Sequence, residues 1–419
     1  MRRTLAFNPS GTPNWRALQR FSTFLARRGD KPGEWLMGVG VLHALEVERP
    51  GRGFDQLRTL LDRHDDWAFG HLGYQLGAEV EPGLASEADP MGWPALHFFV
   101  PRFVVHWEGA GIKVFVMDGD EKEAERLVKE LSGSAPEAPM TKALLWKQPE
   151  RAHYLEQVAG LLSHIQRGDI YEVNYCVTRT ADAMGFDPYP AFAKSCARLN
   201  APHAAFYRMD QRFALCQSPE RFIRIHGNTI VGEPMKGTRP RHADRRTDEA
   251  LAMELANNAK ERSENIMAVD VLRHDLSRVA APGSVRVDEL CAVKSLPAVH
   301  QMTSTVSAEL RSGLHPVDAI QSCFPMASMT GAPKKSAMEL IAATEDRPRG
   351  LYSGTLGYFT PEGDVDLNVV IRTILFDERT GQASLTTGSA VTAACDPEKE
   401  WEECELKARS VLDALDHAG

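Results

Sequence analysis

The order of strand-like and helix-like segments is the feature that most constrains the fold of this 419-residue chain. Short apolar runs come in pairs around glycine-containing turns, as at residues 103–107 with 112–117 and 222–225 with 229–231, which is typical of antiparallel hairpins. No strict strand–helix–strand rhythm runs along the chain. We therefore expect an α/β (α+β) fold of antiparallel-rich layers rather than a doubly wound parallel sheet.

Amphipathic periodicity predicts the helices. Apolar side chains recur on one face of residues 150–167 and again of residues 397–416, and a helix is also predicted over residues 121–131. One long helix is predicted from residue 248 to about residue 275. Further strands are predicted at residues 170–177 and as a pair at residues 365–376 and 383–387.

The best linker candidate is residues 132–140, Ser-Gly-Ser-Ala-Pro-Glu-Ala-Pro-Met. It divides an N-terminal α/β region, residues 1–140, from a second region, residues 141–419, that holds every motif with chemical content. The sequence thus predicts a catalytic region preceded by one with few chemical motifs.

Bulk properties exclude several classes of protein. A hydrophobic fraction of 43% and a charged fraction of 25% are ordinary for a globular chain. No apolar run approaches the roughly 20 residues that span a bilayer, and the net charge of −9 argues against nucleic acid as the main partner. The seven cysteines include no Cys-x-x-Cys pair, which favours free thiols in a reducing cytoplasm.

Two predicted helices each carry a Glu-x-x-Glu pair, Glu261 with Glu264 and Glu400 with Glu403. Carboxylates three residues apart share one helix face and repel each other, so a cation between them would be stabilising. Hard oxygen ligands suit Mg²⁺, which keeps several waters for its substrate. We interpret the four glutamates as candidate Mg²⁺ ligands; the alternative is a pair of solvated surfaces.

The stretch at residues 233–241, Glu-Pro-Met-Lys-Gly-Thr-Arg-Pro-Arg, predicts a lysine held by a tight turn after a hairpin. Such a lysine can be aimed at a substrate. Lys236 would be a nucleophile if burial or neighbouring cations kept it neutral. The alternative is a plain anion-binding turn.

Several other residues are candidate site residues. Glu220 is a general acid if its pocket raises its pKa, or else a surface partner of Arg221. His300 is a ligand contact or a satisfied core residue. Arg372 interrupts a buried-looking strand and is a candidate carboxylate clamp.

Two loops offer backbone N–H groups that suit a carboxylate. One includes Thr330 and Gly331, and the other includes Gly388 and Ser389. Together, the candidate residues predict a pocket for a small polyanion with one metal site.

Five motifs occur in the order seen in chorismate-utilising enzymes, which this chain resembles over roughly residues 150–415. They are Ser-Pro-Glu-Arg-Phe, Pro-Met-Lys-Gly-Thr-Arg-Pro-Arg, Glu-Arg-Ser-Glu-Asn-Ile-Met-Ala-Val-Asp, Ser-Met-Thr-Gly-Ala-Pro-Lys and Ser-Gly-Thr-Leu-Gly-Tyr. The resemblance implies a large two-lobed sandwich of mostly antiparallel sheets with helices outside. In it, the N-terminal region completes the sandwich.

The resemblance also implies a role for each candidate residue. It implies that the metal is bound by Glu261, Glu264, Glu400 and Glu403, and that Glu220 is the general acid. It also implies that Lys407 and the backbone near Gly388 bind the ring carboxylate. The enolpyruvyl carboxylate is expected to bind Arg372, with Tyr358 nearby. Thr330, Gly331, Ser389 and His300 are expected to bind substrate.

Lys236 distinguishes the branches of this family. In anthranilate synthases, the resemblance implies an alanine at the position that corresponds to Lys236. In the aminodeoxychorismate synthase branch, which the chain resembles most, it is a lysine that adds covalently to C2 of chorismate. A second position agrees with the aminodeoxychorismate synthase branch. The resemblance implies a basic lysine in isochorismate and salicylate synthases where this chain has Glu172.

The resemblance therefore predicts a cytoplasmic, Mg²⁺-dependent enzyme that aminates chorismate at C4, in the para-aminobenzoate branch of folate synthesis. Its ammonia would come from a separate glutamine amidotransferase subunit, because no cysteine lies in a Gly-x-Cys-x-Gly context. Two alternatives stay open, an anthranilate synthase component I and a catalytically silent scaffold that binds chorismate or the amidotransferase.

Overall fold

Every strand ladder among the described residues is antiparallel. The computed structural model describes residues 2–8, 11–84, 86–109, 111–134, 144–295 and 299–416. Both hairpins predicted around turns form, at residues 96–116 and 221–232. The expected antiparallel-rich α/β architecture is confirmed, and the structure contains no doubly wound parallel sheet in its described part.

The described residues form 20 strands. They are β1 Arg3–Phe7, β2 Thr23–Arg28, β3 Glu34–Val47, β4 Ala68–Leu72, β5 Leu96–Glu108, β6 Ile112–Val116, β7 Trp146–Lys147, β8 Glu172–Asp182, β9 His203–Met209, β10 Arg212–Ser218, β11 Arg221–His226, β12 Thr229–Gly232, β13 Met235–Pro240, β14 Arg286–Ser295, β15 Val299–Glu309, β16 Gly331–Ala332, β17 Thr355–Phe359, β18 Val365–Asn368, β19 Thr373–Asp377 and β20 Gln382–Thr392.

The α-helices of the same residues lie between the strands in sequence. They are α1 Gly53–His64, α2 Gly77–Val80, α3 Glu121–Leu131, α4 Arg151–Arg167, α5 Pro188–Leu199, α6 Arg245–Asn257, α7 Ala259–Ser277, α8 Pro316–Cys323, α9 Lys334–Thr344 and α10 Pro397–Asp416.

Two arms of sheet diverge from the long strands β3 and β5. One arm runs β5–β3–β2–β9–β10–β19–β20–β8. The other runs β5–β4–β17–β18–β11–β12–β15 and ends in β13 and β14. Strands from before residue 132 pair directly with strands from after residue 144, so both parts of the chain share these sheets.

Apolar clusters lie between the two arms and beneath the helices. Between the arms, residues such as Phe69, Phe99 and Tyr207 form one cluster. Helices α3, α5 and α10 cover the first arm, and α1, α7 and α8 cover the second. This is the arrangement of two sheets with helices outside that the resemblance implied.

The predicted helix from residue 248 to about residue 275 is wrong as a single element. α6 ends at Asn257 and α7 begins at Ala259. Asn258 between them has an extended backbone, with φ −68° and ψ 112°, and its side chain accepts a hydrogen bond from the Glu261 N–H. Asparagine competes for backbone donors in this way, so it ends one helix and caps the next.

The predicted strand at residues 365–376 is also two elements. β18 pairs with β11 and β17, whereas β19 pairs with β10 and β20. The chain changes partners between them, and Arg372 adopts a left-handed φ of 50° there. Apolar content alone does not reveal such a break.

The helices predicted at residues 121–131, 150–167 and 397–416 are confirmed as α3, α4 and α10 to within one residue. Most of the predicted linker at residues 132–140 lies outside the described residues. No helix in the described ranges is long and apolar enough to cross a bilayer.

Candidate active site

Lys236 lies in a bulged strand rather than in a tight turn, so the predicted element was wrong. The register of β13 against β15 shifts between Lys236 and Thr238. Gly237, inside the shift, has a φ of 73°, and a Cβ there would come within 2.8 Å of Glu261 Oε2. A bulge re-aims the neighbouring side chain, and Lys236 Nζ donates a hydrogen bond to Glu172 Oε1 over 2.7 Å.

The surroundings of Lys236 keep it charged. Only 11% of its side chain is exposed, and burial by itself would lower its pKa. The carboxylates of Glu172, Glu264 and Glu220 outweigh burial, so the pKa of Lys236 is raised above its ordinary value. The neutral amine that a nucleophile needs is therefore not its resting state, and the plain anion-binding turn does not describe it either.

Glu220 is buried in the loop between β10 and β11, with 4% exposure. Burial raises its pKa to about 7, although a hydrogen bond from Ser328 and the charges of Lys236 and Lys407 act against this shift. The Ser328 hydroxyl donates to Glu220 Oε1 over 2.7 Å. A carboxyl group with this pKa holds a proton near neutrality, as a general acid requires.

The alternative for Glu220, a surface ion pair with Arg221, is wrong. The Arg221 guanidinium instead binds Asp366, at 3.2 Å, and Glu233, at 2.8 Å. Neighbouring residues in an extended chain point to opposite sides, so the carboxyl of Glu220 is left to the interior.

The four candidate metal ligands come from two helices that are distant in sequence. Glu264 on α7 and Glu400 on α10 are buried, whereas Glu261 and Glu403 are half-buried. Lys260 joins the two helices, with Nζ 2.5 Å from Glu400 Oε1 and 3.6 Å from Glu264 Oε1. The solvated-surface alternative is therefore wrong for Glu264 and Glu400.

The chemistry of this donor set fits a hard divalent cation. Glu264 Oε1 and Glu400 Oε2 are buried without a hydrogen-bond partner in the described part of the chain. Burial raises the pKa of Glu264 to about 7 and raises the pKa of Glu400 as well, as expected where carboxylates lack sufficient counter-charge. Oxygen-only ligands of this kind suit Mg²⁺.

No three of these four glutamates bring carboxylate oxygens within 4.8 Å of one another. Among the described residues, only Glu34, His106 and Glu108 bring three ligand-type atoms within 4.8 Å of one another. That group lies across β3 and β5 and is already satisfied by ion pairs, because His106 contacts both glutamates and Lys113 contacts Glu108. Sequence reasoning did not find it, since its members are separated in sequence and meet only through strand register.

Lys407 and Gly388 meet as the resemblance implied. Lys407 Nζ donates to the Gly388 carbonyl over 2.8 Å and lies 2.7 Å from Glu403 Oε1. Gly388 faces Cys176 across the β8–β20 ladder, and a Cβ at Gly388 would come within 2.5 Å of Cys176 Sγ. A glycine is thus needed for the strands to approach at this point.

Arg372 is half-buried where the chain passes from β18 to β19. In the described ranges its guanidinium makes no ion pair and no side-chain hydrogen bond. Burial lowers its pKa, an effect that the nearby carboxylate of Glu403 opposes. A buried, unpaired guanidinium is suited to an incoming carboxylate.

Thr330 and Gly331 lie beside Glu172, in the segment that enters helix α9 at Lys334. Gly331 and Ala332 form β16, which pairs with the start of β8. A Cβ at Gly331 would come within 2.1 Å of the Glu172 carbonyl oxygen. The Thr330 hydroxyl donates to the Met326 carbonyl over 3.1 Å, so this loop fixes the backbone of Glu172.

Tyr358 does not accompany Arg372, which corrects one predicted pairing. Its ring packs against Trp67 and Phe69 at centroid distances of 6.0 and 5.6 Å. The charged side chains near its hydroxyl include Asp366. The reason is topological, because β17 pairs with β4 on one side and β18 on the other.

His300 and Ser389, both expected to bind substrate, make side-chain contacts within the protein. His300 is buried, and its two ring nitrogens lie 2.9 Å from Ser295 Oγ and Asp248 Oδ1. It is the satisfied core residue that was the alternative. Ser389 lies within β20 and not in the predicted loop, and its Oγ lies 2.8 Å from the Tyr154 hydroxyl.

Three residues near the predicted site were missed from the sequence. Lys260 lies four residues before Glu264 on the same helix, a spacing that could have indicated it. Ser328 stands in the quoted Ser-Met-Thr-Gly motif. Tyr352, whose hydroxyl lies 3.8 Å from Cys176 Sγ, is a buried tyrosine behind the Gly388 strand and gave no periodic signal.

The arrangement can perform substitution chemistry on a small polyanion. Four kinds of group occupy or border the same polar interior. They are a buried lysine, a carboxyl group that is protonated near neutrality, a set of carboxylates suited to a metal ion, and an unpaired guanidinium. The charges of Lys236, Glu220, Glu264 and Glu403 influence one another. Such a set can bind anions, donate a proton to a leaving group and supply a nitrogen nucleophile.

Known proteins match most of this chain. The model of the chorismate binding enzyme family matches residues 17–413. The chain is 38% identical over 366 residues to an aminodeoxychorismate synthase of Streptomyces griseus, covering 83% of this chain and 50% of that protein. It is 34% identical to aminodeoxychorismate synthase component 1 of Klebsiella aerogenes, covering 83% of this chain and 77% of that protein.

A solved structure gives the same fold. The crystal structure of anthranilate synthase component I from Streptococcus pneumoniae superimposes with a TM-score of 0.77 and 23% identity, covering 98% of this chain and 92% of that one. The chain thus spans half the length of its Streptomyces griseus relative and nearly the whole of this structural neighbour.

Proposed function

This chain belongs to the family of chorismate binding enzymes, and on that premise we propose that it aminates chorismate at C4 to give 4-amino-4-deoxychorismate. The single observation that carries this assignment is the buried lysine at position 236, held against Glu172. The relatives named aminodeoxychorismate synthase support the same reaction. An anthranilate synthase would not need a nucleophilic lysine at that place.

In the proposed reaction Lys236 supplies the nucleophile. Its Nζ forms a bond to C2 of chorismate while the bond between C4 and its hydroxyl oxygen breaks. Glu220 donates its proton so that the hydroxyl leaves as water, a role that its pKa of about 7 supports. Ammonia then bonds to C4, the bond between Lys236 and C2 breaks, and the surplus ammonia proton returns to Glu220.

Anion binding falls to residues around this pair. Arg372 would bind the enolpyruvyl carboxylate, because its guanidinium has no partner in the described part of the chain. Lys407, fixed by Gly388 and Glu403, would bind the ring carboxylate. Both groups are half-buried, where charge pairing is stronger than in bulk water.

Glu261, Glu264, Glu400 and Glu403 would hold Mg²⁺. When bound, the ion would neutralise a substrate carboxylate and orient it. The buried, unpartnered oxygens of Glu264 and Glu400 support this proposal. Lys260 supplies part of the required positive charge between the two helices.

We also propose that a glutamine amidotransferase subunit supplies the ammonia. Seven cysteines are present, but none has the Gly-x-Cys-x-Gly context of a glutaminase nucleophile. The name component 1 of the Klebsiella aerogenes relative is consistent with a second subunit in that protein. An ammonium salt should replace the partner in an assay.

Replacing the lysine tests the assignment. Lys236→Ala should slow amination by about a thousandfold, within the range for loss of a catalytic group, while chorismate still binds in the presence of Mg²⁺. The measurement is chromatography with mass detection of chorismate, Mg²⁺ and ammonium salt incubated with each protein. Lys334→Ala, which removes another buried lysine paired with a carboxylate, controls for lost stability.

Each result has a definite meaning. 4-Amino-4-deoxychorismate from the wild type, with little from Lys236→Ala, supports the proposal. Anthranilate as the wild-type product would instead assign the chain to the anthranilate synthase branch. An unchanged rate in Lys236→Ala would remove the covalent role, and chorismate binding without any product, even with a glutaminase subunit, would favour the silent scaffold.

A further inference from the structure

The Lys236–Glu172 contact raises a question that the proposed function leaves open. A lysine attacks carbon only as the neutral amine, yet Lys236 is surrounded by carboxylates that favour its ammonium form. Some group must remove a proton before the bond to C2 can form. The candidates are the carboxylates that face Lys236, namely Glu172, Glu220, Glu264 and Glu403.

Three of these four carboxylates make other contacts or have other proposed roles. Glu220 accepts a hydrogen bond from Ser328 and must hold its own proton for the leaving hydroxyl. Glu264 and Glu403 face the cations of Lys260 and Lys407 and belong to the metal-suited set. In the described part of the chain, only Glu172 receives a hydrogen bond from the ammonium of Lys236.

Glu172 is also fixed more firmly than a surface carboxylate. It begins β8, where it pairs with Thr392 of β20 on one side and Ala332 of β16 on the other. Its side chain is only 4% exposed. A carboxylate held between two paired strands and shielded from water is well placed to exchange a proton with a lysine 2.7 Å away.

We propose that Glu172 is the proton acceptor that converts Lys236 from an ammonium into the attacking amine. This inference rests on the proposed amination of chorismate. Glu172 acts through Lys236 and does not itself touch the reacting carbons, so it is a positioning residue in this reaction. The pairing of lysine with glutamate is an activation device and not merely a charge-neutralising contact.

The proton inventory of the reaction balances. One N–H bond of the Lys236 ammonium breaks and its proton moves to Glu172 Oε1, which leaves a neutral amine and a neutral carboxylic acid. The amine bonds to C2, and when it is later expelled it leaves as a neutral amine and recovers its first proton from Glu172. Glu220 gives a proton to the departing hydroxyl and regains one from the ammonia that bonds to C4.

After addition, the Lys236 nitrogen is a secondary ammonium that retains both remaining hydrogens. On expulsion it leaves as the neutral amine, and the proton stored on Glu172 restores the ammonium. The net change is chorismate plus ammonia giving 4-amino-4-deoxychorismate plus water, with both glutamates returned to their starting states.

The test compares three substitutions of Glu172 in the full chain. Glu172→Gln keeps the size of the side chain but accepts a proton far less readily. Glu172→Ala removes the acceptor and leaves space, and Glu172→Asp retains a carboxylate on a shorter stem. Amination is followed with ammonium salt and Mg²⁺ across a range of pH, and formate is added as a small replacement carboxylate.

We expect kcat to fall about a hundredfold in Glu172→Gln and Glu172→Ala, with KM for chorismate changed by less than about threefold. Formate should restore at least a tenth of the lost rate to Glu172→Ala but not to Glu172→Gln, whose side chain fills the space. Below pH 7, where Glu220 keeps its proton, the rates of both variants should rise with pH more steeply than that of the wild type, because solvent must then take the proton from Lys236. Glu172→Asp should keep an intermediate rate.

A matched control is the buried pair of Lys334 and Asp275, whose Nζ and Oδ2 lie 2.6 Å apart. Asp275→Ala breaks an equally buried lysine–carboxylate contact away from the reacting lysine. It should lose stability as Glu172→Ala does, yet formate should not raise its amination rate. A formate effect of the same size in both variants would overturn the proposal.

Other outcomes also decide the matter. If Glu172→Gln aminates at neutral pH as fast as the wild type or faster, Glu172 only holds the ammonium in place and the proposal fails while amination stands. Lack of formate rescue in a folded Glu172→Ala protein overturns it too. If the wild type yields no 4-amino-4-deoxychorismate, the proposed function fails and this inference fails with it.

Discussion

At the scale of single residues, burial and neighbouring charges together leave a proton on both reacting groups. Glu220 has few cations close enough to offset the loss of water, so burial raises its pKa to about 7. Lys236 is also largely shielded from water but is surrounded by carboxylates, so its pKa rises instead of falling. The same low-dielectric interior therefore keeps a proton on both residues, which makes a proton acceptor for the lysine necessary.

The raised pKa of Glu220 predicts a stability effect. The ordinary carboxyl pKa is 4.5 and the folded value is about 7, so the folded state binds its proton more tightly than the unfolded chain. The contribution of Glu220 to the free energy of unfolding is fully present below the ordinary pKa and is lost as the pH rises through 7. At 1.36 kcal/mol per pKa unit the loss is about 3 kcal/mol.

The unfolding free energy of Glu220→Gln, measured relative to the wild type, should therefore rise by about 3 kcal/mol as the pH is raised from 4 to 9. Denaturant unfolding of both proteins at several pH values measures this difference. The exposed carboxylate Asp118 provides the comparison, because Asp118→Asn should show no such trend. A difference for Glu220→Gln that stays constant with pH would contradict the raised pKa.

The role of Glu220 in the reaction gives a second prediction. If it donates the proton to the leaving hydroxyl, kcat for amination should fall about tenfold per pH unit above 7, because only the protonated form is active. Glu220→Gln should be slow at every pH and should lack this descending limb. A descending limb that persists in the Gln variant would assign it to another group.

At the scale of elements, local breaks in regular structure aim the site residues. The bulge at Gly237 turns the Lys236 side chain towards Glu172. The break at Asn258 starts α7, whose Lys260 contacts both Glu264 and Glu400 of α10. The left-handed backbone of Arg372 separates β18 from β19. Each break interrupts a segment that its apolar pattern alone would continue.

The cap at Asn258 can be tested by its stability. Asn258→Ala removes the oxygen that accepts the Glu261 N–H, which should lower the unfolding free energy by about 1 kcal/mol. Serine can cap a helix in the same way, so Asn258→Ser should lose much less. Chemical denaturation of the three proteins measures the order. Equal losses in both variants would mean that the hydrogen bond to Glu261 is not the stabilising contact.

At the scale of the whole molecule, the site depends on two helices that lie more than a hundred residues apart in sequence. α7 carries Glu261 and Glu264, α10 carries Glu400 and Glu403, and Lys260 bridges Glu264 and Glu400. A divalent cation between these helices would relieve the repulsion of the buried carboxylates. A ligand that binds only the folded state raises its stability by mass action.

Mg²⁺ should therefore raise the thermal unfolding midpoint of the wild type by a few degrees, which corresponds to about 1 to 2 kcal/mol at tenfold or more over the dissociation constant. The rise should disappear in Glu400→Gln. It should persist in Glu34→Gln, which disables the other cluster of possible ligands. Calorimetry with and without EDTA measures both, and loss of the rise only in Glu34→Gln would place the ion elsewhere.

Much of the fold followed from local pattern. The amphipathic stripes of α4 and α10 and the turn residues between β11 and β12 gave these elements nearly at their observed bounds. The absence of a strand–helix–strand repeat correctly favoured antiparallel sheets. What local pattern missed was every place where a polar cap or a change of strand partner overrides an apolar run, as at Asn258 and Arg372.

By itself, the sequence determined the types of reactive group, because carboxylate pairs on one helix face and a lysine beside a glycine are local arrangements. Only the tertiary structure decided which of them meet. It placed Glu172 against Lys236, separated Tyr358 from Arg372 and satisfied His300 in the core. The physical reason is that strand pairing and burial set these distances and charges, and both depend on residues far away in the chain.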